Sequence, residues 1–285
     1  MSSHKIQFWV PLINFVTNKD KIEIGDRFVI EKSTSFEKEV VFEQLTKRFE
    51  IIISSEYLLR TYIKTNKPAE KIYELFDEVI VEFEKAIILF RLFKKEFIGF
   101  NFIVEKHLAN TLVYGYSAVN LSYLIIDRKI EKKKYVIDNG GIELLNKFFR
   151  EYDIFSTSKF DLTVGYFNRS YSQYFLTNIF LDTMFVLENL FLRNTNQELK
   201  YKLSMRMAYV LGGNDKEKRE KIFNFIKESY DIRSKIVHGG EIQGLDKQRV
   251  FKLRELTKDS LKIFFKKRNL CLGENLDNII LKGKS

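Results

Sequence analysis

The sequence predicts an α+β protein, with a mixed α/β domain over residues 1–155 and an all-α helical bundle with a C-terminal tail over residues 156–285. In the first part, apolar residues often alternate with polar ones, which is the period of a strand with one buried face. In the second part, they recur every three or four positions, as in an amphipathic helix. With only 2 Pro and 13 Gly among 285 residues, long linkers or disordered segments are not expected.

The N-terminal part begins with strands. Residues 5–30 alternate on either side of Gly25-Asp26, a dipeptide typical of a tight turn, so they predict strands joined by a turn. Residues 98–126 also have strand character. Residues 49–63 mix β-branched and aromatic side chains, which leaves strand and helix open.

Two helices are expected within the same part. Pro68 suits the first turn of a helix, because the N–H that proline lacks would be unpaired there. Apolar residues at helical spacing follow over residues 69–95. A shorter helix is predicted after Gly140-Gly141, covering Leu144 to Phe149.

Four amphipathic segments are predicted in the C-terminal part, and the short connections between them indicate a four-helix bundle. Glycine pairs follow the second and third segments, where a left-handed residue commonly ends a helix. The predicted helices cover residues 168–193, 197–211, 216–238 and 247–268.

The formal charge of +10 and the pI of about 9.3 favour a partner that carries phosphates, although solubility alone would also explain them. The single Cys271 excludes an internal disulfide framework and indicates a reducing compartment. We find neither a secretory signal pattern nor an apolar run of about 18 residues, so we expect a cytoplasmic protein.

The third predicted helix carries the main candidate site. Arg233 lies on its apolar face, and His238 lies in its last turn, just before Gly239-Gly240. A guanidinium beside an imidazole suits cleavage of an RNA phosphodiester without a metal. The structural alternatives are an ion pair of Arg233 with Glu188 or Asp182, and a surface or capping role for His238.

Basic residues crowd the fourth predicted helix. The candidates for binding an RNA backbone there are Lys247, Arg249, Arg254 and Lys258, and the alternative is an ordinary solvated helix face. His4, His107 and His238 are far apart in sequence, and no phosphate-cradling glycine loop is present. We therefore expect no metal site and no cofactor.

The C-terminal part resembles the HEPN superfamily of prokaryotic defence and toxin ribonucleases, in its ApeA-like branch. The resemblance covers about residues 165–268. It rests on Arg233-x4-His238 at the end of the third helix, on the segment from Leu187 to Phe191, and on Arg206-Met207-Ala208.

The resemblance implies a metal-independent endoribonuclease that acts as a homodimer in phage defence or as a toxin. His238 would be the general acid/base and Arg233 would bind the phosphate, supported by Glu188 and by Ser234, where relatives carry Asn, Asp or His. Attack by the 2′-hydroxyl would leave a 2′,3′-cyclic phosphate. The alternative is a HEPN bundle that binds RNA or a partner without cutting. The N-terminal domain would then recognise a trigger or regulator, or hold the bundle inactive.

Overall fold

The protein is an α+β chain that divides into two compact units, residues 1–151 and residues 152–285. The computed structural model describes residues 4–43, 55–66, 74–100, 102–107, 114–118, 133–152, 154–155, 158–266, 276–277 and 280. The boundary predicted from the sequence is residue 155, four residues further along the chain.

The N-terminal unit is built on a six-stranded antiparallel sheet in the order β3-β4-β5-β1-β6-β7. Two further strands, β2 and β8, pair in parallel. The strands are β1 (His4–Pro11), β2 (Phe15–Thr17), β3 (Lys21–Ile24), β4 (Phe28–Lys32), β5 (Tyr57–Thr65), β6 (Phe102–His107), β7 (Tyr114–Ala118) and β8 (Tyr135–Ile137).

The central position of β1 explains its composition. Ile6, Phe8 and Val10 alternate with Gln7 and Trp9, yet all five side chains are buried, because β1 lies between two strands and is covered on both faces. The predicted turn at Gly25-Asp26 is confirmed: Gly25 has φ +56°, and β3 and β4 pair on either side of it.

Two α-helices complete the described part of this unit, α1 (Phe76–Phe93) and α2 (Asn139–Glu151). Rings of α1 fill the core, where Phe90 meets Phe149 of α2 at 5.1 Å between centroids. The glycines at 140 and 141 belong to α2 and do not precede it as predicted. A π-helical turn covers Glu37–Phe42. The predicted helix start at Pro68 and the strand character of residues 119–126 lie outside the described residues.

The C-terminal unit contains five α-helices in its described residues: α3 (Asp161–Ser172), α4 (Leu176–Phe191), α5 (Leu199–Gly212), α6 (Lys216–His238) and α7 (Lys247–Lys266). Helix α3 packs on α4, α5 on α6, and α7 on α4. Fully buried side chains fill the interior of this unit, among them Phe180, Leu203 and Phe264.

The prediction of one helix over residues 168–193 was wrong. The backbone is extended at Gln173 and Phe175, which separates α3 from α4. Asp182, which is buried, accepts hydrogen bonds from Arg169 of α3 and from Gln173 in the connection. This carboxylate stabilises the turn between two segments that share one continuous apolar pattern.

None of the helices in the described part of the chain has both the length and the apolar composition that crossing a membrane requires.

Candidate functional site

Helix α6 carries the candidate site, and local sequence determines both of its ends. The Asp215 side chain accepts a hydrogen bond from the Lys218 backbone N–H at 3.0 Å, so it caps the first turn. Gly239 takes a left-handed conformation, with φ +73°, directly after His238. The sequence-based end of this helix is thereby confirmed, and His238 occupies its last position.

Arg233 is held inside the helical unit by an ion pair. Its Nε lies 3.0 Å from Glu188 Oε1, and its Nη2 donates to Glu188 Oε2 at 3.2 Å. Both side chains are only about one-fifth exposed, at 20% and 19%. The guanidinium carbon also lies 5.7 Å from the ring centroid of Phe185 and 5.8 Å from that of Tyr230. Glu188 is therefore the partner of Arg233, whereas Asp182 pairs with Arg169.

Burial dominates the electrostatics of this pair. Desolvation raises the pKa of Glu188, and the attraction and hydrogen bond of Arg233 offset that effect only in part. The pKa of the Tyr230 hydroxyl is also raised, first by burial and then by the negative charge of Glu188. Arg233, Glu188 and Tyr230 thus form one partly desolvated cluster, in which each added charge interacts more strongly than in water.

His238 lies apart from this cluster. Its side chain is exposed at the end of α6. Five residues of an α-helix correspond to a rotation of about 140° and a rise of about 7.5 Å, so Arg233 and His238 point to different sides of α6. In the described part of the chain, no hydrogen bond joins the Arg233 side chain to that of His238. Ser234, half-buried next to Arg233, lies on the intervening surface.

The four basic residues predicted to bind RNA do not form one exposed surface. Lys247 is exposed at the start of α7, and Arg249 is half-buried. Arg254 donates to the carbonyl of Ser170 at 2.9 Å, and its guanidinium lies 4.3 Å from the Tyr171 ring centroid. These contacts tie Arg254 to α3.

Lys258 is almost completely buried, with a side chain 6% exposed, and its ammonium lies 3.3 Å from Glu255. Arg249 bonds to two residues of α6, Glu228 at 2.9 Å and Ser229 at 3.3 Å. Part of the positive charge counted along the sequence therefore stabilises packing between helices. The apolar pattern of α7 did not reveal this, because it does not show which basic side chains lie against a neighbouring helix.

A pocket of about 450 Å³ opens beside Glu188, within the C-terminal unit. Its lining combines aromatic and aliphatic side chains of α3 and α4 with several polar ones, including Asn189 and Thr163. Sequence reasoning missed this pocket. The signal available was the adjacent polar pair Glu188-Asn189 between apolar residues in the last turns of α4.

Arg206 makes structural contacts within the C-terminal unit. It is 2% exposed, and its Nε and Nη2 donate to the two carboxylate oxygens of Asp277 at 2.8 and 2.7 Å. Its Nη1 donates to Thr195 Oγ1 at 3.1 Å. These bonds attach the helical residues Leu276 and Asp277, of which Leu276 is buried, to α5.

Among the residues that the structure describes, no group of three or more His, Cys, Asp or Glu side chains has the arrangement of a metal site. Comparisons of the chain with protein-family models, with curated proteins and with solved structures found no match.

Proposed function

We propose that the protein is a metal-independent endoribonuclease of the HEPN type, with Arg233 and His238 as its catalytic residues. The observation that supports this most directly is the end of α6, where a half-buried arginine oriented by Glu188 is followed by an exposed histidine at a glycine-capped terminus. The arginine is fixed in place, and the imidazole is open to a substrate. A net charge of +10 favours RNA as that substrate.

The proposed reaction needs only proton transfer and charge stabilisation. His238 removes the proton from a ribose 2′-hydroxyl as its oxygen attacks the adjacent phosphorus. Arg233 binds the non-bridging phosphate oxygens as negative charge accumulates on them. The bond from phosphorus to the 5′-oxygen breaks, an imidazolium returns a proton to that oxygen, and the products are a 2′,3′-cyclic phosphate and a 5′-hydroxyl.

The angular separation of the two residues supports a homodimer. Since Arg233 and His238 diverge by about 140° around α6, one phosphate cannot easily meet both in a single chain. A second copy placed against the C-terminal end of α6 would bring one chain's histidine to the other's arginine. Val237 and Ile242, which are 48% and 42% exposed, provide apolar surface at that end.

The RNA strand would then follow the exposed cations of α7. We assign a backbone contact to Lys247, whereas Arg249, Arg254 and Lys258 serve packing in this proposal. A nuclease of this kind would act in phage defence or as a toxin, with a trigger or regulator recognised by the N-terminal unit.

The decisive experiment compares Arg233→Ala and His238→Ala with the parent on a structured RNA in EDTA. Each change is expected to lower the cleavage rate by about 10²-fold or more, since each removes a group that acts in the transition state. Lys235→Ala is the matched control, because Lys235 is an exposed cation on the same helix and is expected to have little effect. Parent-like cleavage by both variants would refute the assignment.

A non-catalytic HEPN module that binds RNA or a partner is the second candidate. One specific observation favours this candidate. The guanidinium of Arg233 is already paired with Glu188, and His238 lies on a different side of α6. This candidate predicts a salt-sensitive gel shift of the RNA and no 5′-hydroxyl products.

A further inference from the structure

The pocket beside Glu188 has the composition of a site for a flat aromatic ligand. Phe160 and Phe185 line it together with Leu162, and its volume of about 450 Å³ lies in the range of small-molecule sites. Aromatic side chains of this kind stack on nucleobases. Lys159 and Arg193 belong to the same lining and add positive charge to it.

The polar part of the lining offers a defined set of hydrogen-bonding groups. An ionised carboxylate has about four acceptor positions, and the Glu188 carboxylate accepts one aligned hydrogen bond, from Arg233 to Oε2. Oε1 is buried and is paired with Arg233 Nε at 3.0 Å. Oε2 accepts one hydrogen bond from Arg233 Nη2, so its second acceptor position remains. The carboxylate therefore retains capacity for a ligand donor at Oε2.

Asn189 supplies the complementary group. One N–H of its side-chain amide donates to the carbonyl of Phe185 at 2.9 Å, which leaves a second N–H and the amide oxygen. A ligand edge with two adjacent donors and one neighbouring acceptor would satisfy Glu188 and Asn189 together. Among the RNA bases, guanine presents that edge, with its ring N–H and amino group beside a carbonyl. Adenine, cytosine and uracil each lack the two adjacent donors.

We propose that this pocket binds a guanine base of the RNA strand and makes Glu188 and Asn189 the residues that determine base specificity. The inference rests on the proposed function, because it assigns the pocket to the same substrate. Glu188 lines the pocket and also binds Arg233. A guanine bound to Glu188 would therefore be separated from Arg233, the residue proposed to bind the phosphate, only by the Glu188 side chain. The strand would be cut at a fixed position relative to that guanine.

The first arm of the test maps cleavage positions. The parent protein is incubated with an unstructured RNA of random sequence, and the 5′-hydroxyl ends are sequenced. Guanine is expected at one fixed position relative to the cut with an enrichment of about tenfold or more, because sites built to hydrogen-bond reject analogues that lack the group. Asn189→Leu is expected to reduce this enrichment to near unity. Cuts without any base preference would overturn the inference and leave the nuclease proposal standing.

The second arm does not depend on cleavage. Equilibrium dialysis of the full-length protein measures the binding of guanosine, adenosine, cytidine and uridine monophosphates. The guanosine nucleotide is expected to bind about tenfold more tightly than the others. Equal binding of all four, or none at millimolar concentration, would overturn the inference. Guanine-selective binding without any RNA cleavage would support guanine recognition by the pocket and refute the proposed ribonuclease activity.

A blocking variant keeps the test independent of folding defects. Leu162 lines the pocket but is 61% exposed, so Leu162→Trp adds bulk there without disturbing the core. Leu144, also 61% exposed, lies on α2 of the other unit, and Leu144→Trp is the matched control. Leu162→Trp is expected to weaken guanosine monophosphate binding by tenfold or more, and Leu144→Trp to leave it unchanged. Equal binding by both variants would count against the pocket.

Discussion

At the scale of single residues, Glu188 experiences two opposing influences. Burial raises the pKa of its carboxyl group, and Arg233 lowers that pKa by a smaller amount. The folded protein therefore holds a proton at Glu188 more readily than the unfolded chain does. Ionising this carboxyl costs folding stability as the pH rises from the ordinary glutamate pKa through the raised one. The ion pair is thus retained at some cost, as expected for a residue whose role is to orient Arg233.

We expect Glu188→Ala to lower the free energy of unfolding by about 1–3 kcal/mol, because it leaves a half-buried guanidinium without its acceptor. Glu217→Ala is the control: the Glu217 side chain is 86% exposed, and its ion pair with Lys221 spans one turn of α6. That change is expected to cost at most about 0.5 kcal/mol. Urea unfolding of each variant measures both effects, and equal losses would contradict the role assigned to Glu188.

Asp277 provides a pH-dependent prediction. Its hydrogen bonds with Arg206 lower the pKa of its carboxyl group below the usual value. A carboxyl whose pKa is lower in the folded state contributes stability above its unfolded pKa and loses that contribution as the pH falls through the folded one.

Asp277→Asn should therefore be less stable than the parent at pH 7, and the difference should shrink below about pH 4. Urea midpoints at a series of pH values would show this convergence. A constant difference across the series would mean that the charge of Asp277 is not what stabilises the contact.

At the scale of elements, the end of α6 positions His238. Gly239 adopts φ +73°, and a Cβ added there would meet nothing within 4 Å. A substitution at this position is therefore strained only through its backbone. Since the helix stops where the left-handed residue stands, the same glycine determines that the imidazole lies at an exposed helix terminus.

We expect Gly239→Ala to destabilise the protein by about 1 kcal/mol, because a residue with a Cβ is strained in the left-handed region. Gly165→Ala is the matched change. Gly165 lies inside α3 with ordinary φ and open space around its Cβ position, so alanine there should stabilise by about 0.5–1 kcal/mol. Thermal unfolding of the two variants should shift in opposite directions. Shifts of the same sign would contradict this account of the helix end.

At the scale of the whole molecule, the division at residue 151 separates two cores. The C-terminal unit buries its own large side chains, including Phe180, Phe191 and Leu253, within its own helices. A unit with its own apolar core does not need another domain to compensate for the entropy of folding.

A fragment covering residues 152–285 is therefore expected to fold alone. Circular dichroism should show high helix content, and urea should unfold the fragment in one cooperative transition. A spectrum typical of an unfolded chain would show that the helices depend on the N-terminal unit.

Local patterns in the sequence determined much of the fold. The period-two alternation around Gly25 and the glycine after His238 each predicted an element or its end, because these features act through backbone geometry at the residue itself. The apolar periodicity alone wrongly predicted α3 and α4 as parts of one helix. The apolar pattern continues across both, and it does not show the bonds of Arg169 and Gln173 to Asp182 that stabilise the break.

The composition and periodicity of this chain by themselves determined an α+β protein with a helical C-terminal part and placed Arg233 on an apolar helix face. Only the tertiary structure decided that Glu188 rather than Asp182 binds Arg233, that Lys258 is buried, and that a pocket opens beside Glu188. The physical reason is that helical spacing fixes the face on which a side chain lies. The rotation and contact of packed helices then determine which faces meet.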